Sequence, residues 1–377
     1  MSEWKKCKLG DELELIYGKG LKESERKKGN FPVYGSNGIV GYHNEYLVKA
    51  PGIIIGRKGS VGEIKFSKKD FFPIDTTYYV ILKNDNDIIF FYYFLQTLQL
   101  NEMNSHSAVP GLNRNDVYAI DVAVPPLPEQ CAIASVLSSL DDKIDLLHRQ
   151  NKTLEAMAET LFRQWFIEPS LNPSQKEGNA DEGWEEDSLL RLVQLVGGGT
   201  PKTSITDYWD GNIPWLAGGD IASNHKSFVL NTEKRITENG LNNSSAKLLP
   251  KYATVISARG TVGKYCLLAQ PMAFSQSNYG ILPLIDNCYF FTYLLINHVV
   301  EELQASAYGS VFDTITTTTF KENKVSIPNE LEIRSFENLV SLYFHKIFQN
   351  KAQIGTLEKL RDVLLPKLMC GEVRLKI

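Results

Sequence analysis

Two segments of the chain carry hydrophobic side chains at alternating intervals of four and three residues. The first series runs from Ile133 to Trp165 and the second from Phe336 to Leu368, and each position of the second follows its counterpart by 203 residues. A sustained 3.5-residue repeat places these side chains in a narrow seam along one helix face, which is typical of a left-handed coiled coil. The pattern predicts two long helices, over about residues 128–167 and 330–365.

A helix of nearly 40 residues is roughly 55–60 Å long, and such a helix seldom supports only its own domain. We therefore predict that the two helices pair antiparallel, with Asn151, Asn350 and Arg361 as polar seam positions that fix the register. In the alternative, each helix packs only on the segment before it. Pro366 is expected to end or kink the second helix near Leu365. The residues chosen for the seam are Leu137, Leu140, Ile144, Asn151, Leu154, Val340, Tyr343, Ile347, Ile354 and Leu357.

A mixed segment with short β-like runs precedes each long helix. Turn signals such as Ser36-Asn37-Gly38 and Asp210-Gly211-Asn212 separate the runs. Strands are predicted at 52–56, 78–82, 254–257 and 279–284, and aromatic helices at 88–100 and 289–303. A stretch rich in Pro, Ser, Asn, Gly and acidic residues, 169–183, is the predicted linker between the halves.

The two halves repeat one another. Arg57-Lys58-Gly59-Ser60-Val61-Gly62 matches Ala258-Arg259-Gly260-Thr261-Val262-Gly263 at an offset of 201, and Val124-Pro125 matches Ile327-Pro328 at an offset of 203. The predicted fold class is therefore α+β: two homologous mixed α/β domains separated by two long antiparallel helices that form a coiled-coil spacer, with pseudo-two-fold symmetry. The predicted boundaries are 1–126 and 184–328 for the two domains, 127–168 and 329–377 for the helical segments and 169–183 for the linker.

Composition narrows the class of protein. The 377 residues carry a formal net charge of −4, which excludes a wholly basic nucleic-acid binder but not a local basic face. The five cysteines are far apart without a C-x-x-C pair, which indicates a reduced intracellular protein without a structural zinc site. The most apolar windows span about twelve residues, whereas a membrane helix needs roughly 20, so we expect no membrane span and a cytoplasmic location.

Catalytic motifs are missing from the sequence. It contains neither a G-x-x-x-x-G-K-[ST] phosphate loop nor the Asn-Pro-Pro-aromatic motif of amino-methyltransferases, and its glycine-rich loops have the wrong spacing for a dinucleotide site. Asp313 with Glu322 weakly mimics the carboxylates of a metal nuclease, without a counterpart in the first half. We therefore assign no catalytic residue, no metal ligand and no cofactor to this chain.

The repeated loops are the best candidates for a binding surface. The loops at Arg57 and Arg259 combine cationic, hydroxyl and flexible groups, which suit contacts with phosphates and base edges. For any single polar run, a solvated turn is the competing interpretation. The candidate DNA contacts are Lys19, Lys22, Arg57, Lys58, Ser60, Thr76, Thr77, Asn113, Arg114, Thr200, Lys202, Arg259, Thr261, Gln276, Ser277, Asn278, Thr316 and Thr317.

Several motifs resemble a known family, the specificity subunits of type I restriction–modification systems. Val124-Pro125-Pro126-Leu127-Pro128-Glu129-Gln130 and Leu161-Phe162-Arg163-Gln164-Trp165-Phe166 look like its central conserved region. The ending Leu364-Leu365-Pro366-Lys367-Leu368-Met369-Cys370-Gly371-Glu372-Val373-Arg374 looks like its C-terminal conserved region. The second helix departs from the pattern, since Leu331-Glu332-Ile333 stands where Pro-Glu-Gln is usual. The resemblance extends over the whole chain.

The resemblance implies a role that composition could not. Each mixed segment would be a target recognition domain for one half of a split sequence in double-stranded DNA, and the helices would fix the separation of the half-sites. The helices would also dock two methyltransferase subunits, which carry S-adenosylmethionine, and motor–nuclease restriction subunits could join them. This chain would itself be non-catalytic.

Two other functions are compatible with the same residues. A protein–protein adaptor could carry two similar ligand-binding domains on a coiled-coil arm. A stand-alone nuclease would instead cleave DNA with magnesium alone, and we expect no such activity.

Overall fold

The computed structural model describes residues 3–103, 111–168, 184–308 and 313–375, so the predicted linker, 169–183, lies outside the described residues. The chain divides into two compact units. Unit 1 comprises Met1–Asp145 and Thr356–Ile377, and unit 2 comprises Leu146–Gly355. Each unit thus contains one mixed segment and part of both long helices, which the predicted boundaries treat as separate segments.

The described residues of unit 1 form three small sheets. Its strands are β1 (Lys5–Lys8), β2 (Leu13–Tyr17), β3 (Phe31–Gly35), β4 (Gly38–His43), β5 (Gly52–Gly56), β6 (Ile64–Ser67), β7 (Phe72–Pro73), β8 (Thr77–Leu82) and β9 (Asp121–Val124). An antiparallel sheet has the order β2-β8-β5-β6, a second sheet has the order β4-β3-β7, and β1 pairs with β9. The helices are α1 (Leu9–Glu12), α2 (Ile88–Gln96), α3 (Arg114–Tyr118) and α4 (Leu127–Phe162), which continues into unit 2.

Unit 2 repeats this plan with additional strands. They are β10 (Glu185–Ser188), β11 (Val193–Gly197), β12 (Trp209–Leu216), β13 (Phe228–Val229), β14 (Lys234–Ile236), β15 (Leu248–Leu249), β16 (Thr254–Ser257), β17 (Tyr265–Leu268), β18 (Met272–Phe274), β19 (Asn278–Pro283) and β20 (Lys324–Ile327). The sheets have the orders β11-β19-β16-β17-β13, β14-β12-β18-β15 and β10-β20. The helices are α5 (Gly218–Ser223), α6 (Glu238–Asn242), α7 (Tyr289–Tyr308), α8 (Thr317–Glu322) and α9 (Glu330–Met369).

The predicted strands and aromatic helices of both mixed segments are confirmed as β5, β8, β16, β19, α2 and α7. The turn at 36–38 joins β3 to β4, as expected. The turn predicted at 210–212 is wrong, because these residues form an irregularity inside β12, where the pairing register with β14 shifts. Asp210 takes a left-handed conformation there, with φ of 59°, so the chain kinks without reversing.

The two long helices begin close to where the hydrophobic repeat predicts. The Asn329 side chain accepts a hydrogen bond from the Glu332 backbone N–H at 2.9 Å and so caps the start of α9. The other end differs from expectation, since α9 continues through Pro366 to Met369. Leu368 and Met369 are buried in the core of unit 1, and their burial outweighs the single N–H that proline removes from the last turn.

Within each unit the two long helices run antiparallel. In unit 2, the Asn350 side chain donates to Asn151 Oδ1 at 2.9 Å. The Phe336 ring of α9 packs on Phe162, which lies 11 residues after Asn151 on α4. As the residue number rises along α4, the number of its partner on α9 falls. In unit 1, Arg361 of α9, a predicted polar seam position, donates to Asp141 of α4 at 2.9 Å.

The seam residues lie inside, as the heptad pattern predicts. Leu137, Ile144, Asn151, Val340, Ile347 and Ile354 are buried, and Leu140, Leu154, Tyr343 and Leu357 are half-buried. The helices also pack on the mixed segments. The unit 1 core includes Ile133 of α4 and Leu368 of α9, and the unit 2 core includes Phe162 of α4 and Phe336 of α9. Each mixed segment is therefore held by both long helices.

Buried polar side chains tie the long helices to the aromatic helices at fixed points. In unit 1, Gln130 of α4 accepts a hydrogen bond from the Asp87 N–H at the start of α2, at 2.9 Å. In unit 2, the buried Glu337 carboxylate accepts from the N–H groups of Phe290 and Phe291 at the start of α7, at 3.1 and 2.7 Å. The N–H groups at the start of a helix lack intrahelical partners. Both side chains therefore accept hydrogen bonds from donors that would otherwise be buried without a partner.

Replacing Glu337 with glutamine is expected to reduce the pH dependence of unit 2 stability. Burial raises the pKa of Glu337 from 4.5 to about 7, although backbone N–H donors oppose the shift. The neutral acid is thus favoured in the fold, so its contribution is present below the unfolded pKa and is lost as pH rises through about 7, by at most about 1.4 kcal/mol per pH unit. Glutamine is permanently neutral. Denaturant unfolding of both proteins at about pH 5 and about pH 7.5 measures the difference.

The matched control is Glu322→Gln, an exposed position on α8 of the same unit. It should leave the pH dependence of unfolding as in the unaltered protein. A Glu337→Gln protein with the same pH dependence as this control would show that Glu337 does not titrate in that range.

Candidate nucleic-acid interface

The predicted contact residues of unit 1 gather at one end of its four-stranded sheet. Strand β2 ends at Tyr17, β8 begins at Thr77, and β5 ends at Gly56. The register pairs Tyr17 with Tyr78 and Gly56 with Thr77, which places all three strand ends together. The Arg57–Gly62 loop leaves β5 at this point, so its side chains lie beside those of the run that enters β8.

The conformation of this loop explains its glycines. Gly59 and Gly62 have φ of +79° and +73°, a region that side chains disfavour. A Cβ on Gly62 would also lie 2.3 Å from the Leu100 carbonyl carbon and the Asn101 nitrogen, which leaves no room for any other residue. The turn leaves Lys58 exposed and Ser60 half-exposed.

Unit 2 contains the same loop at the corresponding place. Gly260 and Gly263 have φ of +77° and +78°. The Gly263 N–H donates to the Ser257 carbonyl at 2.9 Å, as Gly62 donates to Gly56 at 2.8 Å. The internal repeat predicted from sequence is therefore a repeat of backbone geometry.

The neighbouring segments are attached to the two loops in the same way. The Arg57 carbonyl accepts from Leu112, and the Ala258 carbonyl accepts from Ile315, at 2.9 and 3.1 Å. These bonds bring the segments around Asn113 and Thr316 against the loops. The Asn113 and Thr316 side chains cap α3 and α8, respectively. Arg114 and Thr317 follow as the first residues of those helices.

Three side chains of unit 1 form a compact cationic–aromatic cluster at the sheet end. The guanidinium carbons of Arg57 and Arg114 lie over the Tyr17 ring, 5.1 and 5.4 Å from its centroid. Nε and Nη2 of Arg57 donate to the Asp75 carbonyl at 3.2 and 2.7 Å, which fixes the guanidinium plane. The Tyr17 ring also packs on Tyr78 at 4.9 Å, and burial is the main cause that raises the pKa of Tyr78.

The equivalent surface of unit 2 is polar with fewer cations. Arg259, Thr261, Gln276, Thr316 and Thr317 are exposed and Ser277 is half-buried. The Thr261 hydroxyl donates to Ser257 Oγ at 3.1 Å. Apart from the Arg259 guanidinium, this surface offers hydroxyl and amide groups.

Two of the predicted contacts face into the fold. Thr77 is fully buried and donates to the Ile74 carbonyl at 2.8 Å. Asn278 is buried and donates to Ser275 Oγ at 2.8 Å. As placed, both side chains hold the turn before a strand and present no surface to a ligand. Thr76 and Ser277, which precede them, are half-buried beside the loops.

The remaining candidates lie on the loops that follow β2 and β11. The Lys19 N–H donates to the Pro73 carbonyl at 3.0 Å, which places this residue near the sheet end. Thr200 adjoins Gly199, whose N–H donates to the Phe274 carbonyl at 2.9 Å. Lys22 and Lys202 are exposed farther along their loops.

Sequence reasoning missed Tyr17 and the outer face of β4. In the sequence, Tyr17 looks like an ordinary strand residue. The one signal that could have identified it as a candidate is that Gly197 stands at the equivalent position of the second half. Ile39, Val40 and Tyr42 of β4 are 52%, 43% and 55% exposed, and Arg26, between β2 and β3, donates to the Val40 carbonyl at 2.6 Å. Aromatic and apolar side chains beside cations suit contacts with bases and thymine methyl groups.

Comparison with known families identifies the class of this protein. Residues 1–156 and 181–334 both match the family described as the type I restriction modification DNA specificity domain. The chain belongs to this family. The match covers most of the chain, and each matched segment includes one copy of the loop.

Individual relatives agree with this assignment. The MjaIX specificity subunit of Methanocaldococcus jannaschii is 27% identical over 290 residues, which are 74% of this chain and 66% of the relative. The HindI specificity subunit of Haemophilus influenzae is 23% identical over 377 aligned residues, which cover 81% of this chain and 82% of the relative. A crystal structure of the type I S subunit from M. genitalium matches 97% of this chain and 96% of its own, with a TM-score of 0.72 at 18% identity, which supports the fold.

Within the described residues, no helix is long and apolar enough to cross a membrane.

Proposed function

We propose that this specificity subunit reads a split target in double-stranded DNA, with one half-site contacted by each unit. The observation that carries the proposal is the repeat of one exposed loop geometry at the sheet end of both units, with different side chains on it. Two such readers in one chain need a fixed separation to recognise one duplex. The paired helices α4 and α9, which continue from one unit into the other, supply the connection.

The proposal includes a scaffolding role for the long helices. Several of their apolar side chains are exposed: Leu331 and Leu342 in unit 2 are 78% and 67% exposed, and Val363 in unit 1 is 57% exposed. In unit 2, a groove of about 570 Å³ is lined by Met157, Leu161 and Tyr343 among others. A contiguous groove lined largely by apolar side chains favours a protein partner. The partners proposed are two methyltransferase subunits, which would supply S-adenosylmethionine and the catalytic groups, with restriction subunits joining in the cytoplasm.

The net charge is compatible with this role. DNA affinity depends on how many phosphates are neutralised, and a chain of charge −4 gains little from non-specific attraction. We therefore propose that the partner subunits contribute much of the phosphate contact. This chain contributes the base-reading loops.

A domain exchange tests the proposed function. Residues 1–124 are replaced with the corresponding segment of a relative, and the protein is produced with its methyltransferase partner. Mapping of methylated sites should show the relative's first half-site joined to the original second half-site. If both halves of the methylated sequence stay as before, unit 1 is not a reader. If the unaltered complex shows no sequence-specific DNA binding, the adaptor function is favoured.

A further inference from the structure

The two units place different side chains on one shared backbone, and three of the differing positions lie together in the cationic–aromatic cluster of unit 1. The β2–β8 register pairs Tyr17 with Tyr78, and the β11–β19 register pairs Gly197 with Tyr279. Gly197 is therefore the counterpart of Tyr17. By the matched backbone bonds, Ala258 is the counterpart of Arg57.

The third difference lies on the short helix that follows the loop. Arg114 and Thr317 are each the first residue after the cap, at Asn113 and Thr316 respectively. Unit 1 therefore has a tyrosine and two arginines where unit 2 has glycine, alanine and threonine. Two readers of different half-sites should differ at the positions that touch bases and agree in the backbone that presents them.

We propose that Tyr17, Arg57 and Arg114 are the specificity-determining residues of unit 1 and that their guanidinium groups read a guanine in the first half-site. This inference rests on the proposed function. Arginine pairs with guanine O6 and N7 through two parallel N–H donors, which is the commonest specific contact in the major groove. A guanidinium whose plane is already fixed loses little side-chain entropy when it makes such a directional contact.

The geometry favours base reading over a phosphate contact. A lysine binds a phosphate as a point charge, so a phosphate contact does not require a guanidinium whose plane is fixed. Here Arg57 is held by two hydrogen bonds to the Asp75 carbonyl, and both guanidinium groups lie over one ring. Tyr17 is 49% exposed, so the face that supports the two cations lies at the surface.

The test compares base preferences of the intact complex of this chain with its methyltransferase partner. Arg57→Ala and Arg114→Thr install the residues that unit 2 carries at the equivalent positions, so the shared backbone should tolerate them. The probe is a pool of duplexes with randomised positions, and the bound fraction is sequenced. We expect the preference at one or two positions of the first half-site to fall about 10- to 100-fold, with the second half-site unchanged.

Arg57→Lys and Arg114→Lys separate base reading from charge. Lysine keeps the charge but loses the planar fork, so base preference should fall as in the uncharged variants while the salt dependence of binding is retained. Lys69→Ala is the control, because Lys69 is exposed beyond the opposite end of the same sheet. It should change neither property, and thermal unfolding of every variant should match that of the unaltered protein.

Three results would overturn the inference while leaving the proposed function intact. They are unchanged base preferences in the alanine and threonine variants, uniformly weaker binding without a change in preference, and full rescue by lysine. An unaltered complex that selects no sequence at all would instead reject the proposed function, and the inference with it.

Discussion

Replacing Glu129 with alanine is expected to lower the free energy of unfolding of unit 1 by about 1–3 kcal/mol. The Glu129 carboxylate is buried near the start of α4, where it accepts from Arg374 Nε at 2.8 Å and from the indole N–H of Trp4 at 3.2 Å. These bonds join α4 to both ends of the chain. Alanine would leave the Arg374 charge, only 22% exposed, without this carboxylate.

The pKa of Glu129 supports the direction of the effect. Arg374 is the main cause that holds this pKa below its ordinary value, so the ionised form stabilises the fold. That stability is present above the unfolded pKa and is lost as pH falls through the folded pKa. Denaturant unfolding at neutral pH, with hydrogen exchange to locate the loss in unit 1, measures the effect.

Glu372→Ala is the matched control for this substitution. Glu372 lies in the same C-terminal tail and pairs with Lys367 at 3.2 Å, but its side chain is 60% exposed. Exposed pairs contribute about 0–1 kcal/mol, so this variant should unfold almost as the unaltered protein does. Equal effects of the two substitutions would show that burial of Glu129 does not strengthen its contacts.

The helices and the repeat could be predicted from sequence because their signals are local. A 3.5-residue repeat shows in any window of the chain, and the capping residue Asn329 lies three positions from the N–H it accepts. The glycines at 59, 62, 260 and 263 are a local signal too, because each has a positive φ that favours glycine at that position whatever its neighbours are. The fold class and the location of the candidate interface followed from these local features.

The direction of individual side chains could not be predicted in this way. Thr76 and Thr77 are adjacent polar residues, yet only Thr77 is fully buried, because the chain turns into β8 between them. The Glu337 side chain accepts hydrogen bonds from N–H groups that lie 46 and 47 residues away in the sequence. The Tyr17 ring contacts the guanidinium groups of Arg57 and Arg114, which come from distant segments of the chain. These contacts are products of the tertiary fold.

Inserting one heptad into each long helix is expected to lengthen the spacer between the two half-sites by about three base pairs. Both insertions fall where the chain passes between the units, after Asp145 in α4 and after Gly355 in α9. Seven residues add roughly 10 Å to a helix, and the duplex rises about 3.4 Å per base pair. A whole heptad also keeps the seam facing its partner, so the antiparallel pairing should persist.

Methylation mapping of the complex measures this spacer directly. The original sites should lose methylation and sites with the longer spacer should gain it, since in the proposed function the helices fix the separation of the two half-sites. The control substitutes the same heptad sequence for existing residues without changing the length, and its spacer should stay as before. Because both proteins carry the same new surface, a spacer that is also unchanged in the lengthened protein would show that the helices do not set the separation.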